Sequence, residues 1–285
     1  MAAKPENDGV KKFLESLPEA VKENVEALRG VQAECDVVRG QYLKEKKELE
    51  EKYHKVYEPL FDRRAKLVIG ADSIPETNGT APGEEPGAVP GFWLRVLKNP
   101  DMVSEHVTRR DEPILKYLLD LRTENLEDNV PGFRLVFKFA PNPYFKPLTL
   151  EKKYFMGSDD ESVLEKTEGT EIEWSPDKNP TFKLVKKKPS KGNAEPKTKM
   201  VQTHSFFDFF SPPEYPKEGE QAEDIADIAE LLAEDDFEMG CYIKEVLVPN
   251  AVSWFTGELA DERDTDDDDL DDDDDSSEYS DSDSD

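Results

Sequence analysis

Carboxylates are the side chains whose number and spacing most clearly point to a chemical role in this sequence. One set lies in residues 218–236, among apolar residues, and a second set follows Asp261, where aspartates form long runs. Glu171 and Glu173, beside Trp174, make a third group. Crowded carboxylates attract Lys and Arg side chains over long range, and salt weakens this attraction. The pattern therefore predicts that the chain binds a strongly basic protein.

The candidate binding residues form a folded group and a tail group. Those expected on the fold are Glu171, Glu173, Glu218, Glu220, Glu223, Asp224, Asp227, Glu230, Glu234, Asp235 and Asp236, and those in the tail are Asp266, Asp267, Asp268 and Asp269. The alternative for each residue is an ordinary solvated surface charge.

The charge of the whole chain favours the same class of partner. Its 285 residues carry a formal charge of -29 at pH 7. From Asp261 to the end there are 16 acids and one base, a net charge of -15, so residues 1–260 hold the remaining -14. Phosphate backbones are bound through Lys and Arg. So acidic a surface argues against direct or sequence-specific binding of nucleic acid.

Patterns for catalysis and metal binding are weak. His54, His106 and His204 lie far apart in sequence, and Cys35 and Cys241 form neither a disulfide framework nor a ligand cluster. No glycine-rich phosphate loop opens a helix, and "DTDDDDLDDDDD" lacks the glycine and terminal glutamate of an EF-hand. We therefore predict no enzyme activity, no cofactor and no metal site. Low-affinity calcium buffering by the tail is a rival interpretation.

The N-terminal residues predict no targeting to a membrane. "MAAKPENDGVKK" lacks the apolar core of a secretory signal, and no stretch approaches the roughly 18 apolar residues of a membrane span. Two cysteines without a framework fit a reduced compartment, the cytosol or the nucleus.

A long helix is predicted ahead of the acidic segments. A helical pattern covers residues 11–69, and apolar residues recur in it every seven positions from Val21 to Leu67, which is typical of a helix with a contact seam. About fifty helical residues would span roughly 75 Å, more than one domain covers, so pairing with a second copy is favoured over packing on its own domain. Pro59 predicts a kink or an end. The dimerisation candidates are Val21, Val25, Leu28, Cys35, Val38, Tyr42, Leu49, Tyr53 and Val56.

The next segments predict a linker and then a sheet. Residues 70–90 are rich in Gly, Pro and Thr. Short helices are expected in "GFWLRVLKNPDMVSEHV" and "DEPILKYLLDL". Phe133, Leu135, Phe137 and Phe139 then alternate with polar residues, as in a half-buried strand, and "LTLEKKYFM" and "GTEIEWSPDKNPTFKLV" add strand candidates. Because there is no βαβ rhythm, the sheet should be antiparallel.

A basic run interrupts the acidic chain at 183–199, with seven lysines and one acid. It is either a solvated hairpin tip or a nuclear-import signal, and the candidate import residues are Lys186, Lys187, Lys188 and Lys191. "AEDIADIAELL" and "DDFEMGCYIKEVL" predict helices in which Ile225, Ile228 and Leu232 share one face and the acids face outward. "PNAVSWFTGE" predicts a last helical turn that closes at Gly257.

"HSFFDFFSPPEYP" concentrates aromatic residues, which could stack bases, dock a partner or fill the core. Single-strand binders place Lys and Arg between such aromatics. Here the neighbours of Phe206, Phe207, Phe209 and Phe210 include Asp208 and Glu214, which repel phosphate. We therefore favour the core.

Several long motifs together resemble the nucleosome assembly protein (NAP) family of histone chaperones. "SFFDFFSPPEYP" resembles the family signature. "LPEAVKENVEALRGVQ", "YEPLFDRRAKLVIG", "VPGFWLRVLKN", "DEPILKYLLDL", "FKFAPNPYF", "TEIEWSPDKNPT" and "VLVPNAVSWFTGE" resemble other family segments in the same order. The resemblance covers nearly all of residues 10–260.

The resemblance implies an α+β fold, with an earmuff-like domain of antiparallel sheet and flanking helices on a long helix that pairs antiparallel with a second subunit. The expected division is a disordered N-terminus (1–10), a dimerisation helix region (11–69), a linker (70–90), a histone-binding domain (91–260) with a basic hairpin (183–199), and a disordered acidic tail (261–285). The implied partners are core histones, and the implied location is both nucleus and cytoplasm.

These expectations lead to a mechanistic hypothesis. The carboxylates would shield the DNA-binding surface of histones without ATP and promote assembly or disassembly of nucleosomes. The tail is disordered by composition, and Ser280 and Ser282, each with Asp three residues on, suit an acid-directed kinase. An import receptor is a further possible partner. The alternative is an acidic regulator or inhibitor of a basic nuclear protein that deposits no histone.

Overall fold

The structure, a computed structural model, describes residues 8–70, 87–127, 130–157, 163–186, 198–211 and 223–259. The chain divides into two compact units, residues 1–63 and 64–285. Each unit is described by itself below.

The first unit is helical. Its elements are α1 (Asp8–Glu15) and most of α2 (Glu19–Ile69), which is 51 residues long and confirms the predicted long helix. Ion pairs one turn apart support its surface, among them Lys22–Glu19 and Lys44–Glu48.

Helix α2 does not end at Pro59, where an end was one of the two predicted outcomes. A proline removes one backbone hydrogen bond and crowds the preceding turn. In the last turns of the helix, which belong to the second unit, Ala65, Val68 and Ile69 are buried, and this burial offsets the cost of the proline. Burial of these side chains stabilises the helical turns that follow the proline.

The described part of the second unit contains helices of four to twenty residues and three sheets. Its elements in chain order are α3 (Phe92–Lys98), α4 (Asp101–Ser104), α5 (Glu112–Leu115), β1 (Leu118–Asn125), β2 (Gly132–Phe139), β3 (Phe145–Lys146), β4 (Thr149–Met156), β5 (Leu164–Gly169), β6 (Glu173–Trp174), β7 (Phe182–Lys186), β8 (Thr198–Gln202), a 3-10 helix (Phe206–Phe210), α6 (Glu223–Tyr242), a π-helical turn (Ile243–Leu247) and α7 (Ala251–Thr256). The main sheet has the order β1–β2–β4–β5, and β3 pairs with β6 and β7 with β8. Every strand pair is antiparallel, as predicted.

Other predictions of local structure fare unevenly. The alternation along β2 is confirmed, because its four odd-numbered apolar residues from Phe133 to Phe139 are buried. The two helices predicted near residues 222–247 form one continuous helix that ends in the π-helical turn. Gly257 closes α7 with a φ of 87°, as expected of a left-handed cap.

The prediction of a helix through "DEPILKYLLDL" is wrong beyond Leu115. Residues from Leu118 onward form β1, in which Leu121 pairs with Phe137 of β2. The outer edge of β1 is closed by side chains: Trp93 Nε1 donates to the Leu119 carbonyl (3.0 Å) and Arg64 Nη2 to the Leu121 carbonyl (3.2 Å). Such long-range bonds override a local helical pattern and protect an edge strand from other partners.

The core of the second unit is aromatic and includes the 3-10 helix, called the Phe helix below. Its four phenylalanines are each at most 5% exposed. Phe137 of β2 lies beneath them, with ring centroids 5.1 Å from Phe210 and 6.1 Å from Phe206. The prediction that the Phe cluster belongs to the core is confirmed.

Two negative findings apply to the described residues alone. Their helices include none long and apolar enough to cross a membrane. Their His, Cys, Asp and Glu side chains form no group of three or more that could hold a metal ion.

Candidate functional site

The exposed acids of the second unit include a group on the second half of α6. Glu234, Asp235 and Glu238 are exposed, whereas Ala233 and Met239 are buried on the inner side. We call these three acids the α6 acidic surface. In this half of the helix Ala233 and Met239 turn toward the core and the three acids turn toward solvent.

The close approach of α6 to the sheet depends on a glycine. A Cβ added at Gly240 would lie 2.3 Å from Cζ of Tyr154 in β4, so the tyrosine ring or the helix would have to shift to make room for it. The Tyr154 hydroxyl in turn donates to the backbone carbonyl of Asp236 (2.9 Å). The contact between the backbone of α6 at Gly240 and the ring of Tyr154 therefore sets the distance between α6 and β4.

A buried ion pair provides the second attachment of α6. Lys152 of β4 is fully buried, and its Nζ lies 2.6 Å from Asp236 Oδ1 and 2.7 Å from the carbonyl of Phe209. One lysine thus joins the sheet, the Phe helix and α6. The other oxygen of Asp236, Oδ2, is buried and accepts no hydrogen bond from the described residues.

Burial disfavours the charged form of both partners. It lowers the pKa of Lys152, although Asp236 opposes the shift, and it raises the pKa of Asp236, although Lys152 opposes that. Removing two charges from water costs several kcal/mol per ion, so such a pair adds little net stability. Its value here is geometric, because it specifies where α6 lies.

The Phe helix is anchored by a second buried carboxylate. Asp111 is fully buried, and it accepts hydrogen bonds from Ser205 Oγ (2.5 Å) and the Phe206 amide (3.0 Å). It also accepts from the Thr108 amide (2.8 Å) and hydroxyl (2.7 Å). Ser205 caps the Phe helix by accepting from the Phe207 amide.

Two histidines lie beside these anchors. The rings of His106 and His204 are 5.5 Å apart, and His106 also faces Glu105, Asp235 and Asp236. Burial lowers the pKa of His106, and the neighbouring His204 lowers it further, while the three carboxylates oppose the shift.

Glu171 and Glu173 form a separate exposed group. Glu173 precedes Trp174 in β6, and Trp174 packs edge-on against Phe145 of β3 (5.4 Å) and Phe207 of the Phe helix (5.2 Å). The tryptophan holds this acidic segment against the core while the carboxylates stay in water.

Together these sites offer carboxylates on a rigid support. The exposed acids among them can form ion pairs with a cationic partner.

The comparison with protein families decides the identity of the fold. The family model described as Nucleosome assembly protein (NAP) matches residues 23–258, which is most of the chain. The chain belongs to the nucleosome assembly protein family.

Individual proteins of the NAP family agree with this assignment. Nucleosome assembly protein 1;1 of Oryza sativa subsp. japonica is 43% identical over 264 residues, which is 89% of this chain and 70% of that protein. Nucleosome assembly protein 1;1 of Arabidopsis thaliana is 45% identical over 262 residues, 88% of this chain and 70% of that protein.

Solved NAP structures share the fold. Nucleosome Assembly Protein 1 from Plasmodium knowlesi is 32% identical, with a TM-score of 0.61 over 85% of this chain and 99% of that one. A nucleosome assembly protein from Plasmodium falciparum is 31% identical, with a TM-score of 0.58 over 84% of this chain and 99% of that one. The predicted family and α+β fold are confirmed.

The structure of this NAP-family chain places only part of the predicted acidic set. Glu171, Glu173, Glu234 and Asp235 are exposed. Glu223, Asp224, Asp227 and Glu230 lie in α6, but their side chains are outside what is described. The remaining acids, Glu218, Glu220, Asp266, Asp267, Asp268 and Asp269, lie outside the described residues. A role in binding stays a prediction for all of these acids.

Two expectations about α6 need correction. Asp236 does not lie on the open face, because its side chain is 11% exposed and pairs with Lys152. Leu232, expected on the inner face, is 51% exposed. The inward direction is set instead by Ala233, Asp236 and Gly240, which are close to one helical turn apart.

The structure also shows residues that the sequence interpretation missed. Leu150, Lys152, Tyr154 and Met156 share one buried face of β4, and a lysine in that alternating row was a signal for a buried, paired cation. No comparable sequence signal distinguishes Asp111 from the other acids of the chain.

The remaining predicted sites are placed as follows. Of the dimerisation candidates on α2, Val25 is half-buried and the others are exposed: Val21, Leu28, Cys35, Val38, Tyr42, Leu49, Tyr53 and Val56.

The pairing of β7 with β8 puts the basic run on a hairpin. Residues 187–197 of this run, with Lys187, Lys188 and Lys191, lie outside the described part of the chain, and so do the phosphorylation candidates Ser280 and Ser282. Lys186 ends β7, but its side chain is not described.

Proposed function

We propose that the chain is a histone chaperone that binds core histones without ATP, shields their DNA-binding surface and promotes nucleosome assembly or disassembly. The observation that carries the proposal is membership of the NAP family, with relatives named for nucleosome assembly at 43–45% identity over most of the chain. The acidic character of both the fold and the tail supports it.

The mechanism follows from electrostatics. Histones contact DNA through Arg and Lys on phosphates, without reading bases. The α6 acidic surface, Glu171 and Glu173 offer the same cations an alternative set of negative charges on a rigid support. Transfer to duplex DNA needs no nucleotide, because the duplex carries one charge per about 1.7 Å of its axis.

The tail increases the affinity for histones and the rate of association, while the acids on the fold determine which histone surface is bound. Residues from Asp261 onward carry a net charge of -15 from 16 acids and one base, and a disordered segment can meet many cationic geometries. Phosphorylation of Ser280 and Ser282 by an acid-directed kinase would add roughly -1.5 to -2 per site.

Self-association through α2 completes the proposed architecture. Leu28, Val38 and Tyr42 are 66%, 68% and 63% exposed on a helix with a seven-residue apolar repeat. Exposed apolar side chains in such a row are a contact seam. We propose that a second copy covers it and makes a homodimer.

Movement between cytoplasm and nucleus belongs to the same proposal. The basic run at 183–199 lies on the hairpin of β7 and β8. An import receptor would bind its lysines, among them Lys186, Lys187, Lys188 and Lys191. When these four lysines are replaced by alanine, the fluorescently tagged chain should be depleted from the nucleus of cells and accumulate in the cytoplasm.

The deciding experiment has two readouts. Purified chain is titrated with H2A–H2B and H3–H4 over a salt series, and it is then tested for histone deposition on relaxed plasmid, read as supercoils. We expect binding that weakens with salt, together with deposition. Binding without deposition would identify an acidic inhibitor instead, and no binding at moderate salt would contradict both.

A matched pair of variants tests whether the exposed acids of α6 contribute to histone binding. Glu234→Gln with Asp235→Asn removes two exposed charges without touching the Lys152–Asp236 pair, and Glu258→Gln with Glu165→Gln is a control of equal charge elsewhere on the second unit. The first variant should weaken histone binding roughly two- to thirty-fold, because two exposed pairs at about 0.2–1 kcal/mol each contribute about 0.4–2 kcal/mol. An equal effect of both variants would show that net charge alone decides.

A further inference from the structure

The loop between β6 and β7 carries a motif that the proposed function does not use. It reads Ser175-Pro176-Asp177-Lys178. We propose that Ser175 is a phosphorylation site for a kinase that requires proline directly after the target hydroxyl and a cation three residues on.

The loop is exposed between two fixed ends. Trp174 holds its start against the core, and Pro180 is buried at its end, where its carbonyl accepts from Thr203 Oγ1 (3.1 Å). Residues 176–178 are exposed and Ser175 is half-buried. The segment that carries the target hydroxyl can therefore be reached by an enzyme once the loop opens locally, without unfolding of the domain.

Backbone bonds and one cation–π contact, in which Lys178 Nζ lies 5.8 Å from the Tyr144 ring centroid, keep this loop closed. The Ser175 amide donates to the Tyr144 carbonyl (2.7 Å), and the Lys178 amide closes a turn onto the Ser175 carbonyl (3.1 Å). Asp177 has a φ of 59°, in the left-handed region that most residues avoid. A kinase binds its target segment extended, so the turn must open, and exposed loops of this kind open at low free-energy cost.

The residues around Ser175 match the chemistry of such a kinase. Pro176 has no backbone N–H, so it suits a groove that offers no hydrogen-bond acceptor at that position. Lys178 supplies a cation for an anionic subsite. In the reaction, Ser175 Oγ forms a bond to the terminal phosphorus of ATP as the bond from that phosphorus to the bridging oxygen breaks; ADP leaves, and the hydroxyl proton passes to the catalytic carboxylate of the kinase.

The chain contains its own control. Its other Ser-Pro or Thr-Pro pair is Ser211-Pro212, which is followed by Glu214 three residues after the serine. Ser211 is exposed, so accessibility alone would allow it to react. The acid at 214 would be repelled by the subsite that accepts Lys178, and the two sites therefore separate a requirement for proline from a requirement for the cation.

The consequence for binding rests on the proposed function. Glu171, Glu173 and Asp177 are exposed beside Ser175, and a phosphate there adds roughly -1.5 to -2 to the same segment. Binding of a basic partner should become tighter, roughly two- to five-fold at low salt, as expected for one or two added exposed charge contacts.

The test uses the folded full-length chain, ATP and a purified cyclin-dependent kinase of this specificity, with intact mass and peptide mapping as readouts. One phosphate is expected at Ser175 and none at Ser211. Ser175→Ala should take up none, and Lys178→Ala should react roughly ten-fold more slowly, the cost of one charge-assisted contact. Equal labelling of Ser211, no labelling, or labelling of denatured chain only would overturn the proposal.

The binding consequence is measured separately on phosphorylated and unmodified chain with the same H2A–H2B preparation. Tighter binding of the phosphorylated form supports it, and equal binding contradicts it. If neither form binds histones, the proposed chaperone function fails, but the mapped phosphate still decides whether Ser175 is a kinase site.

Discussion

The two units of the chain distribute polarity in opposite ways. Along α2 the apolar side chains of the first unit lie in water, with Leu28 and Val38 about two-thirds exposed. In the second unit, charged groups lie inside: Asp111 and Lys152 are fully buried and Asp120 nearly so. The first unit exposes apolar side chains to solvent. The second unit has a core large enough to bury charged side chains and to provide hydrogen-bond partners for them.

This difference separates two sources of order. A long isolated helix gains most of its stability from packing of its apolar face, not from helix propensity. The first unit should therefore depend on the proposed partner copy. The second unit has an aromatic core and buried anchors of its own, so it should fold at any protein concentration.

The largest expected effect is on the first unit. Leu28→Glu with Tyr42→Glu places two charges on the proposed seam, and each would lose its hydration in a dimer. We expect the dimer dissociation constant to rise by at least about 100-fold, which corresponds to roughly 2.7 kcal/mol. Sedimentation or light scattering over a concentration series measures it.

The control for this variant lies on the same helix. Ala33→Glu adds a charge at an exposed position five residues after Leu28, on the side of the heptad away from the seam. It should leave the association constant unchanged, and both variants should keep the near-UV spectrum of the second unit. If Ala33→Glu dissociates the dimer as strongly as the seam variant, the assignment of the seam is wrong.

The next effect tests whether buried charge in the second unit specifies geometry. Lys152→Met leaves Asp236 buried without its partner, and breaking such a pair costs about 3–5 kcal/mol. Lys152→Met with Asp236→Leu removes both charges and should recover most of that stability in urea denaturation. Histone binding should nevertheless stay weaker than in the unmodified chain, because α6 loses the contact that fixes its position.

A different result would assign another role to the pair. If the double variant regained stability and bound histones as tightly as the unmodified chain, the position of α6 would be set by Gly240 and Tyr154 alone. If the single variant lost under about 1 kcal/mol, water would have replaced the missing partner, as it does at exposed pairs.

The same contrast explains what the sequence could reveal. Helix α2 and strand β2 were predictable because their patterns have a period, seven residues in one and two in the other, and each pattern shows on a single stretch of chain. The Phe helix was predictable as core because four phenylalanines among acids have no favourable exposed arrangement. These are properties of composition and spacing alone.

The missed features depend on contacts between distant parts of the chain. Residues 118–121 carry a helical pattern, but they form a strand because β2 pairs with it and Trp93 and Arg64 close its edge. Asp236 looked like one more surface acid until Lys152, 84 residues away in sequence, was seen to pair with it. No local pattern encodes the partner of a buried charge. The sequence therefore predicts that the binding surface is acidic, but it does not predict which acids are exposed on it.

The smallest expected effect concerns acid sensitivity of the second unit. Because the pKa of His106 lies below its usual 6.5 in the folded chain, the unfolded chain binds this proton more readily. Stability from His106 is therefore complete above pH 6.5 and is lost as pH falls through the lowered value. His106→Gln removes this contribution, while the raised pKa values of Asp208 and Asp236 act in both proteins.

Urea denaturation at pH 7.5, 6.5 and 5.5 measures the difference between the two proteins, which should shift in favour of His106→Gln as pH falls. Asp235→Asn sharpens the test. It removes a carboxylate that raises the pKa of His106 in the folded chain, so the loss should still begin near pH 6.5 but continue to a lower pH and become larger. Because Asp235 is exposed, salt should weaken this second effect. A pH-independent difference would mean that His106 contributes packing and no titration.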